Sequence, residues 1–174
     1  MKLDSKKQIA ALLAATLLCG LTAHATVEVF TTAGTSQWQC PAGVTTVTVE
    51  CWGGGGAGGS VTNAGSGPGN NATVGGGGAG GAYVMKTNIS VTPGNFYTFT
   101  VGAGGTPPAL PPTDGDHGDG GDSWFNDTST VLAKGGAGGI SKNAIRPAQG
   151  NGGTCPSGSI GDIINLGGNG GNAN

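Results

Sequence analysis

Alternating hydrophobic and polar residues predict several short β-strands. Residues 46–52 alternate strictly, so that Val47, Val49 and Cys51 share one face and polar side chains share the other. Shorter segments of similar composition lie at 27–32, 36–39, 123–126 and 131–134. No segment after residue 25 has helical periodicity. Short strands separated by turn residues predict an all-β fold, an antiparallel, jelly-roll-like β-sandwich without helices.

A second strand pair is indicated by a turn between two alternating segments. Residues 82–91 place four apolar side chains on one face, namely Tyr83, Met85, Ile89 and Val91. The sequence Thr-Pro-Gly-Asn follows at residues 92–95, where proline fixes φ and glycine accepts a positive φ. Residues 96–101 alternate again, and we therefore predict a β-hairpin between 82–91 and 96–101.

Doubled glycines recur between these strands. The form residue-Gly-Gly-residue occurs at 57–60, 79–82, 103–106, 119–122 and 151–154, and it runs twice in phase at 134–140 and 166–172. A period of three matches an extended left-handed helix that makes no internal hydrogen bonds. Because its amides must then bond to neighbours, we expect the tracts to lie side by side as polyglycine II helices. The alternative is that they are flexible loops, as glycine-rich linkers usually are.

The first 25 residues have the pattern of an export signal. A lysine-containing start precedes an apolar run at residues 9–21, which is too short for a stable membrane anchor. Ala23 and Ala25 are the small residues that a signal peptidase requires, and we predict cleavage after Ala25. The remaining residues, 26–174, suit one domain that is secreted or held at the cell surface, in an extracellular or periplasmic location.

Composition and charge exclude two classes of partner. The chain has 39 glycines, and only 9% of its residues are charged. Its seven basic and nine acidic residues fall to four and eight once Lys2, Lys6, Lys7 and Asp4 leave with the signal, so the net charge is −4. Without a basic patch, nucleic acid is not expected as a partner. No apolar stretch after residue 25 is long enough to predict a membrane span.

An ordered set of motifs resembles the glycine-rich domain family of bacteria and phages. The set comprises residues 38–59, which end in Cys-Trp-Gly-Gly-Gly-Gly-Ala-Gly-Gly, and the glycine-rich motifs at 75–83, 91–94, 100–105, 120–125 and 133–139. The resemblance covers about residues 30–139. It implies a β-sandwich whose inter-strand loops form bundled polyglycine helices, as in secreted, surface and tail-fibre proteins, where loops contact receptors or protein ligands. It implies no catalytic residue.

The end of the chain departs from that family pattern. Such domains usually finish with a strand that re-enters the sheet, and residues 160–166 are a candidate for it. A glycine tract follows this segment at 167–174. Whether the domain is complete at its C-terminus therefore stays open at this point.

Three cysteines follow the signal: Cys40, Cys51 and Cys155. Export favours disulfides, and Cys40 and Cys51 are expected to flank one hairpin turn. We therefore predict a Cys40–Cys51 bridge and leave Cys155 free or intermolecular. The alternative is that all three stay reduced and partly buried. Zinc is not expected, because there is no Cys-x-x-Cys pair and only one histidine after residue 25.

Four aspartates crowd one glycine-rich segment and are candidate calcium ligands. They lie within nine residues of one another and are Asp114, Asp116, Asp119 and Asp122. The segment partly fits a calcium-binding nonapeptide repeat, but that repeat needs tandem copies, and the alternative is a solvated loop. The Gly-Asp-Ser sequence at 121–123 is similar to a lipase nucleophile block. However, His117 precedes the serine in the same loop, and we predict no enzyme activity.

Together these features predict a non-catalytic structural or adhesive module without a cofactor. It would act by surface display or by contact with an extracellular protein or glycan. Trp52, Tyr83 and Trp124 could stack on sugars, although packing within the protein is the alternative. Two rival hypotheses are a calcium-dependent binding module at 114–122 and an ice-binding polyglycine bundle. The mixed outward residues of the tracts argue against the second.

Overall fold

The computed structural model describes residues 26–60, 72–109, 117–144 and 152–173. The predicted export signal and two of the calcium candidates, Asp114 and Asp116, lie outside these ranges. The described residues form nine β-strands and no helix, as the absence of helical periodicity predicts. It follows that none of them forms a helix capable of crossing a bilayer.

Two antiparallel sheets form a sandwich. The first has the strand order β1-β5-β6-β7, the second has the order β2-β4-β9, and a separate ribbon pairs β3 with β8. The sheets pack through contacts of β6 and β7 with β2 and of β7 with β4. The nine strands are β1 (Gly34–Gln39), β2 (Thr46–Trp52), β3 (Ala72–Gly75), β4 (Tyr83–Ser90), β5 (Phe96–Val101), β6 (Ser123–Phe125), β7 (Val131–Ala133), β8 (Ser141–Ala144) and β9 (Ile163–Asn165).

The core lies between the two large sheets and is small. Its buried members come from both sheets: Cys51, Val84, Ile89, Phe99, Phe125, Val131 and Ala133. Strand β2 has its predicted alternation, since Cys51 is buried and Val47 and Val49 pack against the core. Removal of these side chains from water is the main non-directional force that holds the sheets together.

The predicted hairpin between 82–91 and 96–101 is wrong, although its turn is present. The Asn95 amide donates to the Thr92 carbonyl (3.1 Å), and Gly94 has φ of 82°. However, β4 pairs with β2 and β9, whereas β5 pairs with β1 and β6. The turn is held against the end of β1, because the Gly94 amide donates to the Cys40 carbonyl (2.8 Å). It therefore carries the chain from one sheet to the other.

A β-bulge in β4 overturns the predicted face of that strand. Asn88 has φ of 55°, and the register between β2 and β4 shifts beside it. An extra residue reverses which side chains face inward, so Val84 before the bulge and Ile89 after it are both buried. The prediction that Tyr83 and Met85 share the face of Ile89 is therefore wrong.

The predicted strand at 27–32 is also wrong. These residues are exposed and irregular, and in the described chain no neighbouring strand bonds to them. Phe30 is their one anchor among the aromatic contacts, with its ring centroid 4.3 Å from that of Phe99. Two strands that the sequence pattern did not predict, β3 and β8, pair with each other beyond the glycine tracts.

The described residues include seven glycine-rich tracts, and three of them bond in a closed cycle. We name them tract A (53–59), B (76–82), C (102–106), D (118–122), E (134–140), F (152–154) and G (167–172). Amides of tract A donate to tract B, those of B donate to E, and those of E donate to A, all at 2.8–3.1 Å. The bonds recur at every third residue: Gly53, Gly56 and Gly59 donate to Ala82, Ala79 and Gly76.

The tracts need glycine because their backbones lie so close together. A Cβ atom on Gly56 would overlap the Ala137 carbonyl of tract E, and one on Gly78 would overlap the Gly56 carbonyl of tract A. By contrast, Gly58 would keep an ordinary 3.7 Å distance to the nearest backbone oxygen. The described glycines with a left-handed φ all lie outside the tracts, at Gly34, Gly43, Gly94 and Gly158. Close approach, not left-handed φ, therefore dictates glycine in the tracts.

Two alanine substitutions in tract A should distinguish a glycine without space for a Cβ atom from one that has this space. Gly56→Ala should lower the free energy of unfolding by about 1–3 kcal/mol or more, because its methyl group has no space. Gly58→Ala should leave it unchanged or raise it by up to about 1 kcal/mol, because alanine restricts the unfolded chain. Urea denaturation of both variants measures the difference, and equal effects would contradict close packing of the tracts.

Candidate functional site

The tracts give the molecule two ends. Strands β2, β5, β7 and β9 run into tracts A, C, E and G, while tracts B and D run into β4 and β6. The end that joins the two sheets of the sandwich is the proximal end of the bundle, and the β3-β8 ribbon lies at the other end. At the opposite, distal end, Gly59 lies beside Gly76, and Gly105 lies beside Gly118. Three chain connections, 60–75, 107–117 and 141–151, therefore start and finish at the distal end.

One serine joins the three distal connections. The Ser60 amide donates to the Ser141 hydroxyl (2.9 Å), and the Ser60 hydroxyl donates to the Pro108 carbonyl (2.6 Å). Ser141 is fully buried. Pro108 lies two residues after tract C, so this bond fixes the start of the connection that follows tract C. These two bonds tie the three connections together at the distal end.

Ser123 has the corresponding role at the proximal end. Its hydroxyl donates to the Trp52 carbonyl (2.6 Å) and accepts a bond from the Gly102 amide (2.8 Å). It thus ties together the points where β2, β5 and β6 meet their tracts. Ser123 is also the serine of the Gly-Asp-Ser sequence at 121–123, which would need a histidine base to act as a nucleophile. The Nδ1 atom of His117 is hydrogen-bonded to an Asp119 carboxylate oxygen (2.9 Å).

The two described calcium candidates brace tract D against tract E. One Asp119 carboxylate oxygen accepts a bond from the Gly138 amide, and one from Asp122 accepts a bond from the Gly135 amide, both at 2.9 Å. The other Asp122 oxygen forms an ion pair with Lys134. The Gly138 bond is the largest cause that lowers the pKa of Asp119. Between tracts A, B and E, the amides donate to backbone carbonyls. Here the two carboxylates accept these bonds.

These contacts leave the calcium hypothesis without an assembled site in the described ranges. Asp119 and Asp122 already serve the bundle, and Asp114 and Asp116 fall in the gap at 110–116. No group of three or more His, Cys, Asp or Glu side chains within the described residues is arranged to hold a metal ion.

Comparison with known families finds one match. A family model described as a glycine-rich domain matches residues 31–174. The chain belongs to the glycine-rich domain family. The match runs past residue 139, where the resemblance seen in the sequence stopped, and includes β9 and tract G. A search of curated proteins finds no match.

The cysteines of this glycine-rich domain are free thiols in the structure: Cys40, Cys51 and Cys155. The premise of the predicted Cys40–Cys51 bridge, that both flank one hairpin turn, is wrong because β1 and β2 belong to different sheets. The Cys40 thiol donates to the Val44 carbonyl (3.3 Å). Cys51 lies in the core, and burial raises the pKa of its thiol to about 11.

The aromatic candidates of the glycine-rich domain fall into two environments. Trp124 is half-buried in the middle of β6, between β5 and β7. Trp52 is 61% exposed, and its ring centroid lies 5.1 Å from that of Tyr83 on the neighbouring strand. The Tyr83 hydroxyl donates to a Glu50 carboxylate oxygen (3.1 Å). The sequence singled out both rings but gave no sign that a carboxylate would join them.

Alkylation should distinguish the three thiols. At pH 8, iodoacetamide should modify the half-buried Cys155 first, and Cys51 should react last, because a pKa of about 11 leaves only about a thousandth of it as thiolate. Peptide mass mapping over time measures the order. If Cys40 and Cys51 resisted iodoacetamide until a reductant was added, they would form a disulfide, and the free thiols would be contradicted.

Proposed function

We propose that this glycine-rich domain is a secreted, non-catalytic structural or adhesive module. It would act by display at the cell surface and by contact with an extracellular protein or glycan. In this proposal the glycine tracts are polyglycine II helices. They form a rigid stem between the sandwich and the distal end, which is presented to the surroundings.

The third-residue bonding between tracts A, B and E is the observation that carries the proposal. Three residues per turn is the period of an extended left-handed helix, and each tract in the cycle bonds to neighbours on more than one side. Such a bundle uses backbone atoms for nearly all its contacts. This arrangement supports a mechanical, presenting role more readily than a role that depends on a buried reactive side chain.

The distal end supports display for a second reason. Because Ser60 joins the segments that contain Ser141 and Pro108, the three connections leave the bundle from one fixed base. A rigid base reduces the conformational entropy that a binding surface loses when a partner docks. The proposed stem therefore gives a mechanism for presenting contacts on the three distal connections without a large core.

Export tests the proposed location directly. When the full chain is expressed in a bacterium with a general export pathway, the mature protein should begin at Thr26 and be removable by protease added to intact cells. Ala25→Gln should block cleavage, since a signal peptidase requires a small residue there, whereas Ala33→Gln, beyond the site, should not. Accumulation of the uncleaved wild-type chain in the cytoplasm would contradict the proposal.

Calcium titration separates the proposed module from its calcium-dependent rival. We expect the thermal unfolding midpoint to be the same in excess calcium and in chelator. Asp122→Asn should lower that midpoint in both conditions, because it weakens the bonds to Lys134 and Gly135. A calcium-induced rise that Asp122→Asn abolishes would favour the rival, since ligand binding stabilises only the folded state that it recognises.

A further inference from the structure

The outer face of the β2-β4-β9 sheet carries an ordered set of side chains that the stem does not use. Cys51 and Val84 are cross-strand partners and are buried, so residues on either side of them point outward. Pairing across the three strands then gives two rows. The rows are Trp52-Tyr83-Asn165 and Glu50-Met85-Ile163.

This platform, defined by those six residues, is apolar in its middle and polar at two opposite corners. Trp52 and Ile163 are 61% and 45% exposed. The Glu50 carboxylate and the Asn165 amide occupy the two polar corners. The Tyr83 hydroxyl donates to one Glu50 carboxylate oxygen, Oε2, and the other Glu50 oxygen does not bond to Tyr83. Desolvation raises the pKa of Tyr83, and the bond to the Glu50 carboxylate raises it further.

We propose that this platform binds a neutral glycan. A pyranose ring has an apolar C–H face and a rim of hydroxyl groups. The rings of Trp52 and Tyr83 can stack on the C–H face. The Glu50 carboxylate can accept hydrogen bonds from the hydroxyl groups, and the Asn165 amide can both donate to them and accept from them. This inference rests on the proposed extracellular role and assigns one chemical class of partner to it.

Size supports a sugar over a protein as the occupant. Three strands about 4.8 Å apart and residues spaced two along each strand give a platform of about 10 by 7 Å, the scale of one or two sugar units. A stable protein interface buries about 800 Å² on each partner. Two partly exposed aromatic rings, of about 150–250 Å² each when complete, and two aliphatic side chains do not reach that area.

Charge selects among glycans. After the predicted loss of the signal the chain has a net charge of −4, and Glu50 stands at the edge of the platform. Carboxylated or sulfated sugars would meet like charge there, which is unfavourable when it is brought out of water. The platform therefore favours uncharged sugars.

Affinity electrophoresis tests the proposal. The protein is run in native gels that contain a β-glucan, an α-mannan or a galactan, beside a gel with alginate as an acidic polysaccharide. We expect the protein to migrate more slowly in at least one gel with a neutral polysaccharide than in a gel without one. Alginate should not slow its migration. Trp52→Ala should weaken this retention by about tenfold or more, as loss of a central aromatic anchor does. Tyr83→Phe, which keeps the ring but releases Glu50, should weaken it less.

The control for these variants is Phe96→Ala. Phe96 is also 61% exposed but lies on β5, in the other sheet, so its removal should leave retention unchanged. Absence of retention in all three neutral gels, or equal losses in Trp52→Ala and Phe96→Ala, would overturn the proposal. So would self-association of the wild type that Trp52→Ala abolishes, since it would assign the face to a second copy. A negative gel result with normal export would remove the glycan site and leave the proposed surface role standing.

Discussion

Backbone hydrogen bonds between glycine tracts are the constraint on which the rest of the structure depends. Ordering one residue costs about 1–2 kcal/mol, and glycine loses more freedom than other residues. A hydrogen bond contributes only about 0.5–1.5 kcal/mol net, so a single tract with one row of bonds would not stay ordered. Tracts A, B and E avoid this because each donates to two neighbouring tracts and accepts from two others. At positions such as Gly56 and Gly78, that arrangement brings backbones to distances that only glycine permits.

The sandwich and the bundle therefore stabilise each other. The core is small, but each of the strands that form it, β2, β4, β5, β6 and β7, continues into a tract or begins from one. Ser123 at the proximal end and Ser60 at the distal end bond to backbone groups of separate segments and so fix where the tracts begin and end. The carboxylates of Asp119 and Asp122 accept bonds from the Gly138 and Gly135 amides of tract E. Polar side chains thus complete the backbone network of the stem.

Local features of the fold could be predicted from the sequence, whereas pairings between distant segments could not. The bounds of β2 and β5 agree with the alternation at 46–52 and 96–101, and the turn at 92–95 follows from proline and glycine chemistry. The partner of each strand depends on contacts across the whole chain, and so the hairpin prediction was wrong. One bulge residue, Asn88, reversed a face that strict alternation had assigned. The grouping of Trp52, Tyr83 and Glu50 could not be predicted either, because it depends on which residues of β2 and β4 lie opposite each other.

Amide hydrogen exchange of the tracts tests the central claim most directly. The donors of tracts A and B that bond to a neighbour, such as Gly56 and Ala79, should exchange many times more slowly than in an unstructured peptide of the same sequence. Their protection should approach that of Val84 in the core. Exchange across residues 53–59 and 76–82 at the rate of a free peptide, with β4 still protected, would contradict the bundle and leave only a sandwich with loosely tethered loops.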